Sequence, residues 1–463
     1  MLRLRVVRDR LLETLWFVPG VIGLAGVLLA VAMVELSARV DQEALARFPR
    51  VFGASADSSR SLLSAIGGSV ITVAGVTFSL TMVAVAQASS QYTSRILRTF
   101  MRDRSTQVVL GAFVGIFAYC LLVLRTIRSV EESGFVPSLA VVLAILLALV
   151  AMGALIFFIH HIATTLQVSH LLERVGRETI KAVDRLFPDD VVEEASPQQR
   201  AEAATRLRGA TWLAIPATRT GYVQRIDADR LVDIAAARDS VIRLELRVGE
   251  FVIDGTPIAA ITSWGSNGSS ERDGHKPGSP TERSNPSIAA CFAVGTFRTI
   301  DEDAAFGVRQ IVDVALKALS PGVNDTTTAV TCVDWLGAIL VRLANRSIET
   351  PFRSEDGVVR VIAAGPTFES MLALAVDEIR QNAASNVTVL GALLEMAGRV
   401  GRVVRDRERR RLLETHVALI AEHVERRVEA KPDRERLRQC ARLALAASDP
   451  TRPRTPHAGR DSA

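Results

Sequence analysis

Long apolar runs crowd the first third of the chain, and short periodic patterns fill the rest. A bilayer core of ~30 Å takes about 20 apolar residues of helix to cross. Four segments meet or approach that length: Thr14–Leu36, Leu62–Ala88, Gln107–Leu124 and Ser138–Ile162. Core helices of a water-soluble domain would explain one such segment, but not four in succession. The first run is too long for a signal peptide, and further spans follow it. The pattern predicts an α-helical polytopic membrane protein with four transmembrane helices. The second segment differs from the others. Ser64, Gly68, Thr72, Gly75 and Ser79 recur at helical spacing and make one small, partly hydroxylated stripe. Small residues let helix backbones approach, so the stripe reads as a packing seam. Facing water around a symmetry axis, it would instead line a pore. No span has an Asp, Glu, Lys or Arg at its centre, which counts against an ion-coupled pump.

Beyond the fourth span the helical period runs on through "HHIATTLQVSHLLERVGRETIKAVDRLF" to Phe187. One long helix leaving the bilayer is expected, within a helical connector over residues 166–207 after a membrane domain over residues 1–165. Between residues 208 and 262 the period shortens. "GYVQRI" and "SVIRLELRV" are β-rich, and "GEFVIDGTPIAAI" sets glycines at turn positions. This small β-rich module, with "DADRLVDIAAARD" as an inserted helix, resembles the barrel-sandwich of biotinyl and lipoyl carriers. A carrier needs a lysine on an exposed hairpin, and none lies between Lys181 and Lys276, so no cofactor is expected. Residues 263–290 read as a flexible insertion and residues 448–463 as a disordered tail. From residue 291 to 447, apolar residues at three-and-four spacing predict a cytoplasmic helical domain.

Charge orients the spans. Arg3, Arg5, Arg8 and Arg10 precede the first, and Arg95, Arg98, Arg102 and Arg104 crowd the second loop. Arg174, Arg177, Lys181 and Arg185 follow the fourth. By the positive-inside rule the N-terminus, second loop and long C-terminal region are cytoplasmic, against the pull of Arg39, Arg47, Arg50 and Arg60 in the first loop. In the second loop, "SSQYTSRILRTFMRDRS" alternates Ile96, Leu97, Phe100 and Met101 with arginines, as the collar of a membrane hairpin does. The net charge of +5 on 463 residues implies no nucleic-acid partner. Mean hydropathy, +0.24, is high because of the spans. Four scattered cysteines without a CxxC pair argue against a disulfide framework or a zinc site. His160, His161 and His170 are spread over about two and a half turns of one helix, too far to close on one ion. No metal is expected.

The candidate chemistry lies in "FRTIDEDAAFGVRQIVDVALKALSPGVNDTTTA". Arg309, Asp313 and Lys317 share one helix face and can form a charge ladder. Pro321 disfavours helix at Ser320, and Gly322 tolerates the positive φ of a helix end. Asn324 or Asp325 then caps a second helix, whose first turn begins with Thr326 and Thr327. Capping explains most of these residues, yet a helix N-terminus with free N–H groups is also an anion site. Arg309, Asp313, Lys317, Ser320, Asn324, Asp325, Thr326 and Thr327 are therefore the candidate ligand-binding residues for a small anion. The acids Asp301, Glu302 and Asp303 read as the bias of a helix start rather than a metal site. The run holding Arg402, Arg405, Arg407, Arg409 and Arg410 reads as a solvated face with glutamate partners. No nucleophile, phosphate-loop or zinc-protease motif is present, so no catalytic residue is assigned and no enzyme is expected.

The stretches "ITVAGVTFSLTMVAVAQASSQYTSRILRTFMRDRSTQVVLGAFVGIFAYCLLVLR", "GYVQRID…VGEFVIDGTPIA" and "AFGVRQIVDVALKALSPGVNDTTTAVTCVDWLG" resemble a bacterial predicted membrane protein family known as domain of unknown function 2254. The resemblance implies a bacterial inner-membrane protein and carries no activity, substrate or catalytic residue. The partners expected are the lipid bilayer and further copies of the chain. Two functions fit: an oligomeric channel around the second span, gated by the cytoplasmic region, or a non-conducting membrane-anchored sensor or scaffold reading a small anion.

Overall fold

Among the described residues the first unit holds four long apolar helices, and one of them packs on the other three. In the computed structural model they are α1 (Phe17–Arg39), α2 (Ala56–Gln91), α3 (Arg104–Thr126) and α4 (Ser138–Thr165). The structure describes residues 16–39, 55–91, 103–127, 136–165, 167–187, 205, 207–263, 286–348, 352–355, 358–363 and 365–447. The interfacial collar at residues 96–101 lies outside the described residues, as do most of the expected insertion and the tail. The chain divides into two units, Met1–Leu171 and Leu172–Ala463.

Helix α3 packs on α1, α2 and α4. Gly111 and Gly115, one turn apart, leave part of its surface without side chains, and α1 lies against that surface. A methyl group on Gly26 would sit 2.4 Å from the Gly115 carbonyl oxygen, and one on Gly111 would sit 2.9 Å from the Pro19 backbone. Close approach of this kind holds membrane helices together where no hydrophobic force acts between them. Residues 19 and 26 meet 111 and 115 in the same order, so α1 and α3 are parallel. The other two helices run against them. Arg60 at the start of α2 donates to the Ile127 carbonyl just past the end of α3, at 2.8 Å. Fully buried Tyr119 on α3 donates to the Ala140 carbonyl near the start of α4, at 2.9 Å. Leu24, Leu28, Val31, Leu146, Leu149 and Ile156 are exposed, an apolar surface suited to lipid.

The long helix expected from Ser138 to Phe187 is interrupted. Helix α4 ends at Thr165, and α5 (Val168–Leu186) begins anew. The Thr164 hydroxyl donates back to the His160 and His161 carbonyls at 3.1 and 3.0 Å, within the last turn of α4.

In the second unit, β1 (Leu213–Pro216), β2 (Gly221–Ile226), α6 (Ala228–Ala237), β3 (Ser240–Leu244), β4 (Phe251–Val252) and β5 (Pro257–Ser263) come first. After them come the short α7 (Pro286–Ala289), β6 (Phe292–Gly295), α8 (Ala304–Ala318), α9 (Thr326–Leu343), β7 (Phe352–Glu355) and β8 (Val358–Ile362). The chain then continues as α10 (Phe368–Asn382), α11 (Val387–Val403), α12 (Arg407–Arg427) and α13 (Lys431–Ala447). The turn glycines are real, with φ of 91° at Gly249 and 81° at Gly255. The barrel expected around them does not close. The β4–β5 hairpin is split between two open sheets, of order β1-β5-β3-β8-β7 and β4-β2-β6. Strands β6 and β8, from further along the chain, extend the sheets where a barrel would have closed on itself. Side chains of Ile215, Val223, Leu231, Ile242, Val252 and Ile258 fill the core beneath them.

Five described helices are long and apolar enough to cross a membrane, α1 to α4 and also α9. Helix α9 packs on α8 and α11, and its exposed Asp334 is paired with Arg399 at 2.6 Å.

Candidate functional site

The small-residue stripe of α2 is not the seam on which α2 packs. Ser59, Leu63, Gly67, Val70, Ala74, Thr77 and Ala84 are the buried positions described on that helix, and Gly67 faces Cys120 and Phe117 of α3. Ser64, Gly68, Thr72, Gly75 and Ser79 are all exposed. A side chain added at Gly68 or Gly75 would meet nothing within 4 Å. The Thr72 hydroxyl donates to the Gly68 carbonyl at 2.8 Å, so it is satisfied within its own helix. The seam within the chain is instead the Gly111-to-Gly115 surface of α3, spaced as G-x-x-x-G.

The residues grouped as an anion site are placed as follows. Arg309 donates to Asp313 at 2.7 Å and reaches both carboxylate oxygens of Glu378 on α10. Lys317 is exposed one turn further on. Helix α8 then ends as expected, with Ser320 Oγ donating to the Lys317 carbonyl at 2.7 Å. The positive φ falls at Asn324 (49°), not at Gly322. Asp325 caps α9 by accepting from the Thr328 N–H at 3.0 Å and from its hydroxyl at 2.6 Å. Those hydrogen bonds from Thr328 hold the Asp325 carboxyl below its usual range. The Thr326 hydroxyl accepts from Asn386 at 2.7 Å, and Thr327 is exposed. The chain's own carboxylate thus occupies the positive end of α9, where an incoming anion would meet it.

The acids before α8 have structural duties. Asp303 caps α8 through the Phe306 N–H at 3.0 Å and pairs with Arg298 at 2.8 Å. Burial pushes the Asp303 carboxyl up, against the pull of the Arg298 guanidinium. Glu302 and Asp301 lie near Arg225 and Arg185 at 3.8 and 3.9 Å. Of the histidines, His161 meets Asp103 at 2.6 Å and stacks on Phe157, while His160 and His170 are exposed. In the arginine run, Arg409 and Arg410 donate to backbone carbonyls of Ala344 and Val404 at 3.0 and 3.2 Å. The glutamate partners expected for them do not appear among the described residues.

A second arrangement escaped the sequence reading: the docking of α5 within the second unit. Gly176 lies under the Trp335 ring of α9, where an added methyl would come within 2.3 Å of the indole. Gly307 of α8 leaves room in the same way for Thr179. At the far end of α5, Arg346 is buried, at 5 % exposure, and donates to the carbonyls of Val183, Asp184 and Phe187. It also pairs with the Asp184 carboxylate at 2.9 Å, which Arg342 meets at 2.6 Å. These contacts cap a helix C-terminus with a cation, the favourable sign for its dipole. Hydrogen bonding to Arg342 leads in lowering the Asp184 carboxyl. Within the second unit, α5 is thus held by side chains of α8 and α9 and by Arg346. The pairing of α5 with residues about 160 positions away left no local signal in the sequence.

With this geometry in hand, residues 12–398 match the family described as Predicted membrane protein (DUF2254). The chain belongs to this family. Uncharacterized proteins of Mycobacterium bovis and of Mycobacterium tuberculosis are similar to this DUF2254 chain, at 32% identity over 442 residues. That similarity covers 93% of the chain and 80% of each relative. No solved structure matches it. The DUF2254 chain is thus a membrane protein with several apolar helices, and its mycobacterial relatives bring no named activity to it.

Proposed function

We propose that this DUF2254 protein is a four-span inner-membrane protein that assembles with copies of itself around α2 into a channel-like oligomer. The observation that carries the proposal is the outward stripe of Ser64, Gly68, Thr72, Gly75 and Ser79. A surface facing only lipid gains nothing from small hydroxylated residues, and elsewhere the outer face carries Leu, Ile and Val. Copies meeting on this stripe bring backbones close, and a ring of them sets hydroxyls beside a central path. The N-terminus, second loop and long C-terminal region are cytoplasmic in this reading. The arginines of the first two and the parallel course of α1 and α3 support it. Helix α9 stays with the second unit, because its charged residues are paired there. In this reading the cytoplasmic unit, which the chain enters after the last span, gates the path.

Native mass spectrometry and ion flux in liposomes test this. The wild type should be oligomeric and conduct, and Gly68→Leu or Thr72→Leu should abolish both. A monomeric wild type without flux would refute the proposal.

A further inference from the structure

The membrane unit holds a crevice of about 390 Å³ between α1 and α2, floored by α3. That volume falls in the ~300–1,000 Å³ range of small-molecule sites. Its apolar walls come from Pro19 and Gly20 of α1, Phe78 and Met82 of α2, and Leu110 and Val114 of α3. Trp16, Thr81, Thr106 and Gln107 also line it. Their distribution is ordered. Helices α1 and α3 are parallel and α2 runs against them, so Trp16, Thr81, Thr106 and Gln107 gather at the end where α1 and α3 begin. Gly23 and Val114 lie deeper toward the middle of the spans. The polar end also abuts a hydrogen-bonded group, since Thr106 Oγ1 donates to Asp103 at 2.7 Å and Asp103 meets His161.

Gly20 is the key residue of the wall. It faces open space, with nothing within 4 Å of an added Cβ, while its outward neighbours Val21, Leu24 and Leu28 are large. A water-facing groove of this kind would call for a protein partner. This one opens among exposed apolar side chains on the spans, where hydrocarbon is the surrounding medium. A groove with an almost wholly apolar lining, opening among exposed apolar side chains of the spans, suits the acyl chain of a lipid.

We propose that the crevice is a binding site for one phospholipid of the leaflet in which α1 begins. Its acyl tail lies along Gly20, Leu110 and Val114, and its head group lies at the Thr106–Gln107 end. The site differs from the ordinary lipid annulus by holding its lipid through detergent extraction.

Native mass spectrometry of the full chain, washed with delipidating detergent, tests this. The wild type should keep one phospholipid per chain. Gly20→Phe, which adds a ring to the crevice wall at a position where an added Cβ meets nothing within 4 Å, should keep none, and Leu28→Phe on the open outer face should keep it. Loss of lipid from the wild type, or an unchanged count in Gly20→Phe, would overturn the proposal. A second measurement needs no variant: wild-type protein reconstituted with phosphatidylcholine carrying a photoreactive tail. Adducts concentrated on Leu110, Val114 and Phe78 support the site, and adducts spread evenly over Leu28, Leu146 and Leu149 overturn it. Neither result depends on whether the chain conducts ions.

Discussion

Two helices of the membrane unit carry small residues at helical spacing and use them in opposite ways. On α3, Gly111 and Gly115 receive α1 closely: an added Cβ would sit 2.9 Å from Pro19 at Gly111 and 3.0 Å from the Ile22 carbonyl oxygen at Gly115. On α2, the stripe from Ser64 to Ser79 faces away from the chain, and its two glycines meet nothing. The same chemistry that closes a contact inside one copy is therefore left open on its outside. The second unit shows the first kind of use again, in Gly176 and Gly307, which admit Trp335 and Thr179. A glycine on a helix marks a close approach, but the approaching surface can belong to the same chain, to a lipid or to another copy.

The sharpest way to break this comparison is Gly115→Leu. It should destabilise the membrane unit by about 3 kcal/mol or more, because the added atoms meet α1 backbone. Thermal unfolding in detergent measures it, and an unshifted transition would deny the α1–α3 seam. Arg346→Ala tests the corresponding lock in the second unit. Removing a buried cation from three carbonyls and a carboxylate should cost about 3 kcal/mol. Hydrogen exchange should then rise first in α5, whereas uniform exchange would place the lock elsewhere.

Asp325→Ala should cost about 1 kcal/mol, the usual value of a helix cap. The Asp325 carboxyl lies below its ordinary 3.8 in the folded chain, so its contribution is full above that pH and is lost as pH falls through the lowered value. Chemical denaturation between pH 5 and 2 (roughly the span over which a lowered carboxyl titrates) should show a smaller acid-side decline in Asp325→Asn than in wild type. Equal declines would assign the acid sensitivity to other groups. The smallest effect on the fold belongs to Gly68→Leu. Melting of the separated chain should change by no more than about 0.5 kcal/mol, since the new side chain meets nothing. A large loss would show that the stripe serves the chain's own packing after all.

Much of this was legible locally. The caps at Asp303 and Asp325, the turn glycines Gly249 and Gly255 and the positions of the apolar helices follow from neighbours in sequence. The ladder of Arg309, Asp313 and Lys317 was legible only in part, because Glu378 on α10 takes the outer side of Arg309. The end of α4 was missed because the helical period continues across Thr165 into α5 without a Pro or Gly to mark the break. The barrel was misjudged for a related reason: a glycine hairpin specifies its turn, but not which strands its two arms choose.

By itself the sequence determined that this chain enters a membrane, and roughly where its apolar helices lie. Solvation in hydrocarbon and hydrogen bonding at helix ends act over one or two turns and are written in adjacent residues. Only the tertiary structure decided that the G-x-x-x-G of α3 is covered, that the stripe of α2 is bare, and that Arg346 closes α5. A helix pattern lists the faces available for packing, but which face is buried depends on partners far away in the chain.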